Sequence, residues 1–513
     1  MNQGRYTRAD AVIAAVLAIL TLLLSVGMLD TDHQYGDDFA AYMLEGKAIA
    51  EGRLTEQAEL NAFIHPSERN FGNNQDEGPI VYVWGLPLIL SAVYKVVGFD
   101  RPTGYAILWY KLPGVLFLTM TAAAAYLFYR RRFSKGISAM LTALLCWTTE
   151  VVRDSARVTT DIPCLAVSLL ALLMVEVLLD AQTQKIRLIS AVTLGVALWY
   201  DCAVRLNGKT VLYVVLAAHA IGLIRQKVKL REALVHALPY VVLGILWGIC
   251  RIAFPAATSN TQDIASGPNR LIMQNIGYYN MVLEQWVTSM LPTGFWRYSS
   301  AVLNAAYVCI LAGVLSDGIC RNLHLTVLML GSFAVLILLP YVQTLRYLYN
   351  ALPLLLMFMA YGARTIIRLT RRAAKNAKLE RAMKAAAYCA LAFLTLGTAQ
   401  KTVMAEKEHA DAGGFSARSE TYAPDAVDMY AHIMENTAEN AVIAYYKPRA
   451  LLLNTGRVGF SPTVNGHSLS EGQYLLMSQK ADNTQIELTP EIEKRLTPVY
   501  QSGAYTLYEI KGE

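Results

Sequence analysis

Charge is scarce in this chain of 513 residues. Asp, Glu, Lys and Arg together make up 16%, against about 25% in soluble domains, which excludes an ordinary soluble protein. Cysteine is absent from every long polar stretch: the seven, at 146, 164, 202, 250, 309, 320 and 389, sit in or at the edges of apolar segments, so no disulfide framework is expected. No internal repeat and no low-complexity tract is present. The first apolar run, "AVIAAVLAILTLLLSVGML", lacks an A-x-A-like cleavage site and reads as a retained helix rather than a removed signal peptide. A basic excess is missing from the tail, where residues 401–513 hold 10 Lys and Arg against 15 Asp and Glu. The net charge of +6 therefore comes from the rest of the chain, where it reports membrane orientation rather than nucleic-acid binding.

What is abundant is apolar sequence, 55% of residues. Runs of roughly 20 apolar residues recur, each long enough to cross a hydrocarbon core about 30 Å thick. The expected class is a polytopic α-helical membrane protein with about eleven spans, near 11–29, 104–129, 136–152, 162–180, 188–204, 210–224, 233–254, 299–317, 325–341, 347–367 and 385–400. Alternate short loops carry "RRRFSK", "KIR", "RQKVKLR", "CRNLH" and "RLTRRAAKNAKLERAMK". Cationic loops stay cytoplasmic, which puts the N-terminus inside. Segments 30–103 and 255–298 and the tail from 401 then lie outside, in a multi-pass protein of the inner (plasma) membrane. The run "IVYVWGLPLILSAVYKVVGF" would break this parity if it spanned. With Pro79 before it and Pro87 inside it, it reads as juxtamembrane or re-entrant. Residues 401–513 suffice for a small extracytoplasmic α/β domain beside a transmembrane domain of 1–400. In that tail "APDAVDMYAHIMENT" reads as a helix and "AVIAYY", "ALLLNTG" and "AYTLYEI" as strands.

Ionisable residues at membrane mouths are candidates for function. In "YGDDFAAYMLEGKAIAEG", Asp37 and Asp38 open a helical pattern. Each can be an N-cap, and a carboxylate there can also act as general base toward a hydroxyl. "DTD", 30–32, reads as solvated flank. A second acidic group, Glu150, Asp154 and Asp161, occupies the next outer loop, with Asp161 before Ile-Pro as a cap or a functional carboxylate. Arg205, Arg346 and Lys111 are cations at outer helix ends or just inside one. Snorkelling is their ordinary explanation, and a lipid-carried phosphate is the functional one.

The order of these features resembles the GT-C glycosyltransferases, in the polyprenyl-phosphate-sugar branch that holds the lipid A aminoarabinose transferases and protein O-mannosyltransferases (glycosyltransferase family 39). Asp38 and Tyr42 have the family's spacing from key Asp to aromatic; "GPIVYVWGLPLILSAVYKVVG" resembles its juxtamembrane block, "RLNGK" its Arg-x-x-Gly step, "LRYLYNALPLLL" its Arg-Tyr run, and "ENAVIAYYKPRALLLNTGR" its tail segment. The aminoarabinose transferases' Lys-Pro-Pro is replaced by Glu77-Gly78-Pro79, which argues against that particular enzyme and moves the phosphate contact to another cation. The resemblance implies an inverting transfer from a polyprenyl-phosphate-linked sugar to an extracytoplasmic lipid, glycan or protein acceptor. Asp38 would be the base, with Asp37 and Asp161 as alternatives, and Arg205, Arg346 and Lys111 would meet the donor phosphate. Tyr42, Tyr82, Trp84 and His65 are the accompanying substrate-binding candidates. No cofactor is required, and no His/Asp/Glu cluster forces a divalent metal. The rival readings are a lipid-glycan flippase, which explains the outer loop and tail less well, a glycan polymerase or ligase, and a surface-anchored binding module, for which one helix would suffice.

Overall fold

Thr7 starts the first helix. Its hydroxyl accepts from the Asp10 N–H (3.3 Å) while the Asp10 carboxylate accepts from the Thr7 N–H (2.7 Å), a capping box at the head of α1 (Arg8–Gly27). The computed structural model describes residues 6–33, 37–64, 84–99, 106–205, 208–226, 230–254, 272–338, 344–416, 420–462, 468–479 and 485–511. After α1 come α2 (Asp38–Glu51), α3 (Leu54–Ile64) and α4 (Gly85–Val97). At 13 residues, α4 is about 20 Å long, too short to cross a bilayer. It packs on α2 instead, as expected for a juxtamembrane element.

The bundle continues with α5 (Ile107–Arg130), α6 (Lys135–Cys146), α7 (Thr149–Ser155), α8 (Asp161–Leu179), α9 (Gln184–Val204), α10 (Gly208–Gln226), α11 (Leu230–Ala253) and α12 (Ile272–Met290). Next, α13 (Ser299–Gly313) runs through a π turn into α14 (Ile319–Arg321), followed by α15 (Leu323–Leu338), α16 (Leu352–Ala374) and α17 (Ala377–Asp411). Among the described residues nine helices are long and apolar enough to cross a membrane, while α6 and α15 are shorter; the expected eleven counts both. The expected span 136–152 breaks between α6 and α7. Two glycines set one close crossing. A Cβ on Gly362 would lie 1.6 Å from the Cys309 carbonyl oxygen, and one on Gly313 would lie 2.1 Å from that of Phe358, so α13 and α16 meet backbone to backbone.

Beyond α17, α18 (Pro424–Asn436), α19 (Pro448–Thr455) and α20 (Pro490–Glu493) join five strands, β1 (Val442–Ala444), β2 (Val458–Phe460), β3 (Tyr474–Ser478), β4 (Leu496–Ser502) and β5 (Tyr505–Ile510). The sheet order is β2-β1-β3-β5-β4, with β2, β1 and β3 parallel and β3, β5 and β4 antiparallel. One expectation fails here. "ALLLNTG" belongs to a helix, α19, the crossover between parallel β1 and β2. Pro448 occupies its first turn and Gly456 ends it at φ 73°, a start and stop that outweigh the strand-like composition. The tail is docked rather than tethered. Phe39, Met43, Leu86 and Leu90 of α2 and α4 share one buried apolar cluster with Ala450, Leu452 and Leu453 of α19.

Candidate functional site

Asp161 lies at the head of α8 and is 3% exposed. It does not cap its own helix: the N-cap is Thr160, without a side-chain cap bond. One of its carboxylate oxygens instead meets the Arg205 guanidinium, and the other lies 3.6 Å from that of Arg346. The two arginines come from distant parts of the chain. Arg205 follows α9 in extended conformation, where its N–H still donates to the Asp201 carbonyl (3.2 Å). The chain then turns back into α10 at Gly208, where a Cβ would lie 2.3 Å from that same carbonyl, so only glycine passes. Arg346 sits in a 3-10 turn, Leu345–Leu348, that leads to α16. Both guanidiniums lie over the ring of Tyr347, at 4.7 and 5.1 Å, a geometry that favours cations. The structure thus brings Asp161, Arg205 and Arg346 together around one aromatic.

Tyr42 borders this group, and Asp38 lies beside Tyr42. Tyr42 is buried in α2, its hydroxyl hydrogen-bonded to Thr160, and burial together with the nearby Asp38 charge pushes its phenol above the ordinary range despite Arg205. Asp38 is half-buried in the first turn of α2. Asp37 does something else. Its two carboxylate oxygens accept from the backbone N–H groups of Arg449 (2.9 Å) and Ala450 (2.8 Å). It is the side-chain cap of α19, a helix more than 400 positions away in sequence, and makes no cap bond to its own helix. Burial raises its pKa against the pull of Arg449 and those two amides.

Other candidates lie elsewhere. Lys111 is 2% exposed, and its ammonium donates to the Asp30 carboxylate and to the carbonyls of Asp30 (3.0 Å) and Asp32. Those bonds use the three donors an ammonium has, so Lys111 holds the 30–32 segment rather than joining Arg205 and Arg346. The solvated-flank reading of "DTD" fails for the same reason: Asp30 pairs with a buried cation and Asp32 is 3% exposed. These groups line a 350 Å³ polar cleft with His33, Arg157, Glu408 and His409. His33 stacks on Phe39 (4.1 Å), and its Nε2 accepts from the Val158 N–H (3.1 Å). The acidic group of the next loop is divided. Asp154 pairs with Arg157 (2.9 Å) and accepts from the Tyr349 hydroxyl (2.5 Å), apart from Asp161. Trp84 stacks on Phe254 (5.3 Å) in an apolar cluster with Ala58. His65 and Tyr82 lie outside the described residues.

Sequence reasoning missed Asp201. Fully buried, it accepts two bonds from the Ser168 hydroxyl (3.0 and 2.8 Å) and one from the Cys164 thiol (3.4 Å), and the Asn350 amide donates to that same sulfur (3.4 Å). Asp201 lies in the last turn of α9, just before Arg205, and bridges to Cys164 and Ser168, one turn apart on α8. The available signal was an acidic residue inside an apolar span. Beside it, Cys164, Val167, Tyr200 and Val204 form an apolar floor with Ile89, Phe117 and Met120. The last three also line a 520 Å³ apolar groove between α4 and α5. Among the described residues no group of three or more His, Cys, Asp or Glu has the arrangement to hold a metal ion.

No family model and no curated protein matches the chain. Solved structures do. ArnT from Cupriavidus metallidurans, bound to undecaprenyl phosphate, aligns over 98% of this chain and 98% of its own, at 11% identity and a TM-score of 0.58. The archaeal oligosaccharyltransferase AglB from Archaeoglobus fulgidus, in complex with an inhibitory peptide and a dolichol-phosphate, aligns over 91% of this chain and 69% of its own, at 12% identity and a TM-score of 0.57. The chain has the GT-C fold of these membrane glycosyltransferases.

Proposed function

We propose that this protein is an integral-membrane glycosyltransferase that moves a sugar from a polyprenyl-phosphate-linked donor to an acceptor hydroxyl on the extracytoplasmic side. The observation that carries the reading is the convergence of Arg205 and Arg346 on Asp161 over the Tyr347 ring, with Tyr42 beside Arg205 and an apolar groove between α4 and α5. Two guanidiniums suit a phosphate. A groove lined by Leu112, Leu116, Phe117 and Met120 suits the hydrocarbon that carries one. The two neighbours named above were solved with polyprenyl phosphates, which supports the same donor class here.

In this reading the acceptor oxygen attacks the anomeric carbon as the bond from that carbon to the phosphate oxygen breaks. The configuration inverts. The electron pair leaves on the phosphate, where Arg205 and Arg346 stabilise the developing charge. The hydroxyl proton passes to a carboxylate. Asp38, in the first turn of α2 beside Tyr42, is the base in this reading, while Asp37 caps α19 and Asp161 holds both arginines. Asp161 then acts on the arginines, keeping two like charges together until a phosphate arrives. The step runs through these side chains.

Binding of undecaprenyl phosphate to the purified protein tests the donor site. It should bind to wild type and to Asp38→Asn alike, and tenfold or more weakly to Arg205→Gln and Arg346→Gln, since a charge-assisted hydrogen bond contributes about 1.5–3 kcal/mol. Absence of binding sinks the reading. Movement of intact lipid-linked sugar across vesicles, without release of polyprenyl phosphate, would replace it with the flippase.

A further inference from the structure

The largest cavity described lies away from this site. A groove of 860 Å³ runs between α13 and α16 on one side and α6 and α17 on the other. Most of its wall is apolar, including Leu141, Val302, Met359, Leu391 and Leu394, but one end carries Arg364, Arg368, Lys384 and Glu380. Arg364 and Arg368 are one turn apart on α16, as are Glu380 and Lys384 on α17. The single carboxylate is already shared between Lys384 (2.7 Å) and Arg371 (3.1 Å), so cationic charge exceeds anionic charge at this end. The opposite end is closed by Phe393, Phe295 and Tyr298, all exposed on the surface of the bundle. Between Lys384 and Phe393 α17 rises about 14 Å, a length that accommodates most of an acyl chain. In addition, only 11% of the most apolar stretch of α17 is buried within the protein, which leaves this helix facing lipid.

A slot that is apolar along its length, open along its side and cationic at one end mirrors an anionic phospholipid. We propose that this groove is a binding site for one anionic phospholipid, its phosphate between Arg368 and Lys384 and an acyl chain lying against α17 toward Phe393. The charged end adjoins the connection carrying "RLTRRAAKNAKLERAMK", which the positive-inside rule assigns to the cytoplasmic leaflet. This lipid is therefore distinct from a donor entering at Arg205, and its role is to brace the helix from which the tail domain extends.

The test uses the full-length protein in micelles containing equal amounts of phosphatidylglycerol and phosphatidylcholine, with lipid retained after washing counted by mass spectrometry. Wild type should retain phosphatidylglycerol in preference. The double variant Arg368→Gln/Lys384→Gln, which removes both charges, should lose that preference by about 30-fold, because each cation near an anionic headgroup contributes about 1 kcal/mol. Ala387→Trp, which fills the groove without touching a charge, should reduce retention of both lipids. Equal retention of the two lipids by wild type would show apolar filling only and overturn the proposal. So would a preference that survives both changes, which would locate the anionic lipid elsewhere, or delipidated protein that pairs through this face, which would make a second copy the occupant.

Discussion

Asp37 and Asp38 are neighbours in the chain, but their carboxylates have different work. Asp38 lies beside Tyr42, which faces Arg205, while Asp37 holds the tail helix by two amide bonds. Asp38→Asn keeps the size of the side chain and removes its charge, so the protein should fold, bind the lipid phosphate and lose transfer by about 100- to 10,000-fold. Sugar release at near wild-type rates would remove Asp38 as the base. His33 gives a pH test. Burial, with Lys111, Arg157 and Lys447 nearby, holds its imidazole well below the ordinary 6.5. The unfolded chain takes up a proton below pH 6.5 and the folded chain does not. Stability is thus fully present above pH 6.5 and falls by up to about 1.4 kcal/mol per pH unit below it. Thermal melting from pH 7.5 to 5 should show this component in wild type and lose it in His33→Asn.

At the scale of elements, α19 shows how a contact made late in the chain depends on a residue placed early. Its composition favours a strand, and its helical form rests on Pro448, Gly456 and the Asp37 cap. Asp37→Ala should weaken docking of α19 by about 1–2 kcal/mol, the usual loss of a side-chain cap. Hydrogen exchange at the Arg449 and Ala450 amides should accelerate about 5- to 30-fold, with β3 to β5 unchanged. Asn at 37 keeps one acceptor and should fall between. An Asp37→Ala protein with unchanged exchange but abolished transfer would return Asp37 to the chemistry.

For the whole molecule, the charge alternation places residues 30–103 and the tail on one side, and Asp37 on α19 requires the same. Single cysteines at Glu59 and Ser470, both exposed, should react alike with an impermeant thiol reagent in intact cells on a background lacking the native cysteines. Reaction at only one would overturn the shared outer location. The α17 helix passes unbroken through residue 400, so the tail leaves the membrane on a rigid rod rather than a linker.

Much of this was legible in the sequence because the physics behind it is local. Runs of about twenty apolar residues are long enough to cross a bilayer, and charge parity with Pro79 and Pro87 set the run at 80–99 apart as juxtamembrane. Cationic loops mark a side, and Pro followed by an apolar heptad marks α18. Asp38, Asp161, Arg205 and Arg346 each stood out as a charged residue at a membrane mouth, and Tyr42 by its family-like spacing from Asp38. Pairing was not legible. That Asp161 receives both arginines, that Lys111 spends its donors on Asp30 and Asp32, that Asp37 caps a helix some 400 residues on, and that Asp201 accepts from Ser168 and Cys164 all depend on which helices the bundle brings together. Those juxtapositions are decided by packing, such as the Gly313–Gly362 crossing and the Gly208 turn, and a buried charge takes whichever partner that packing presents.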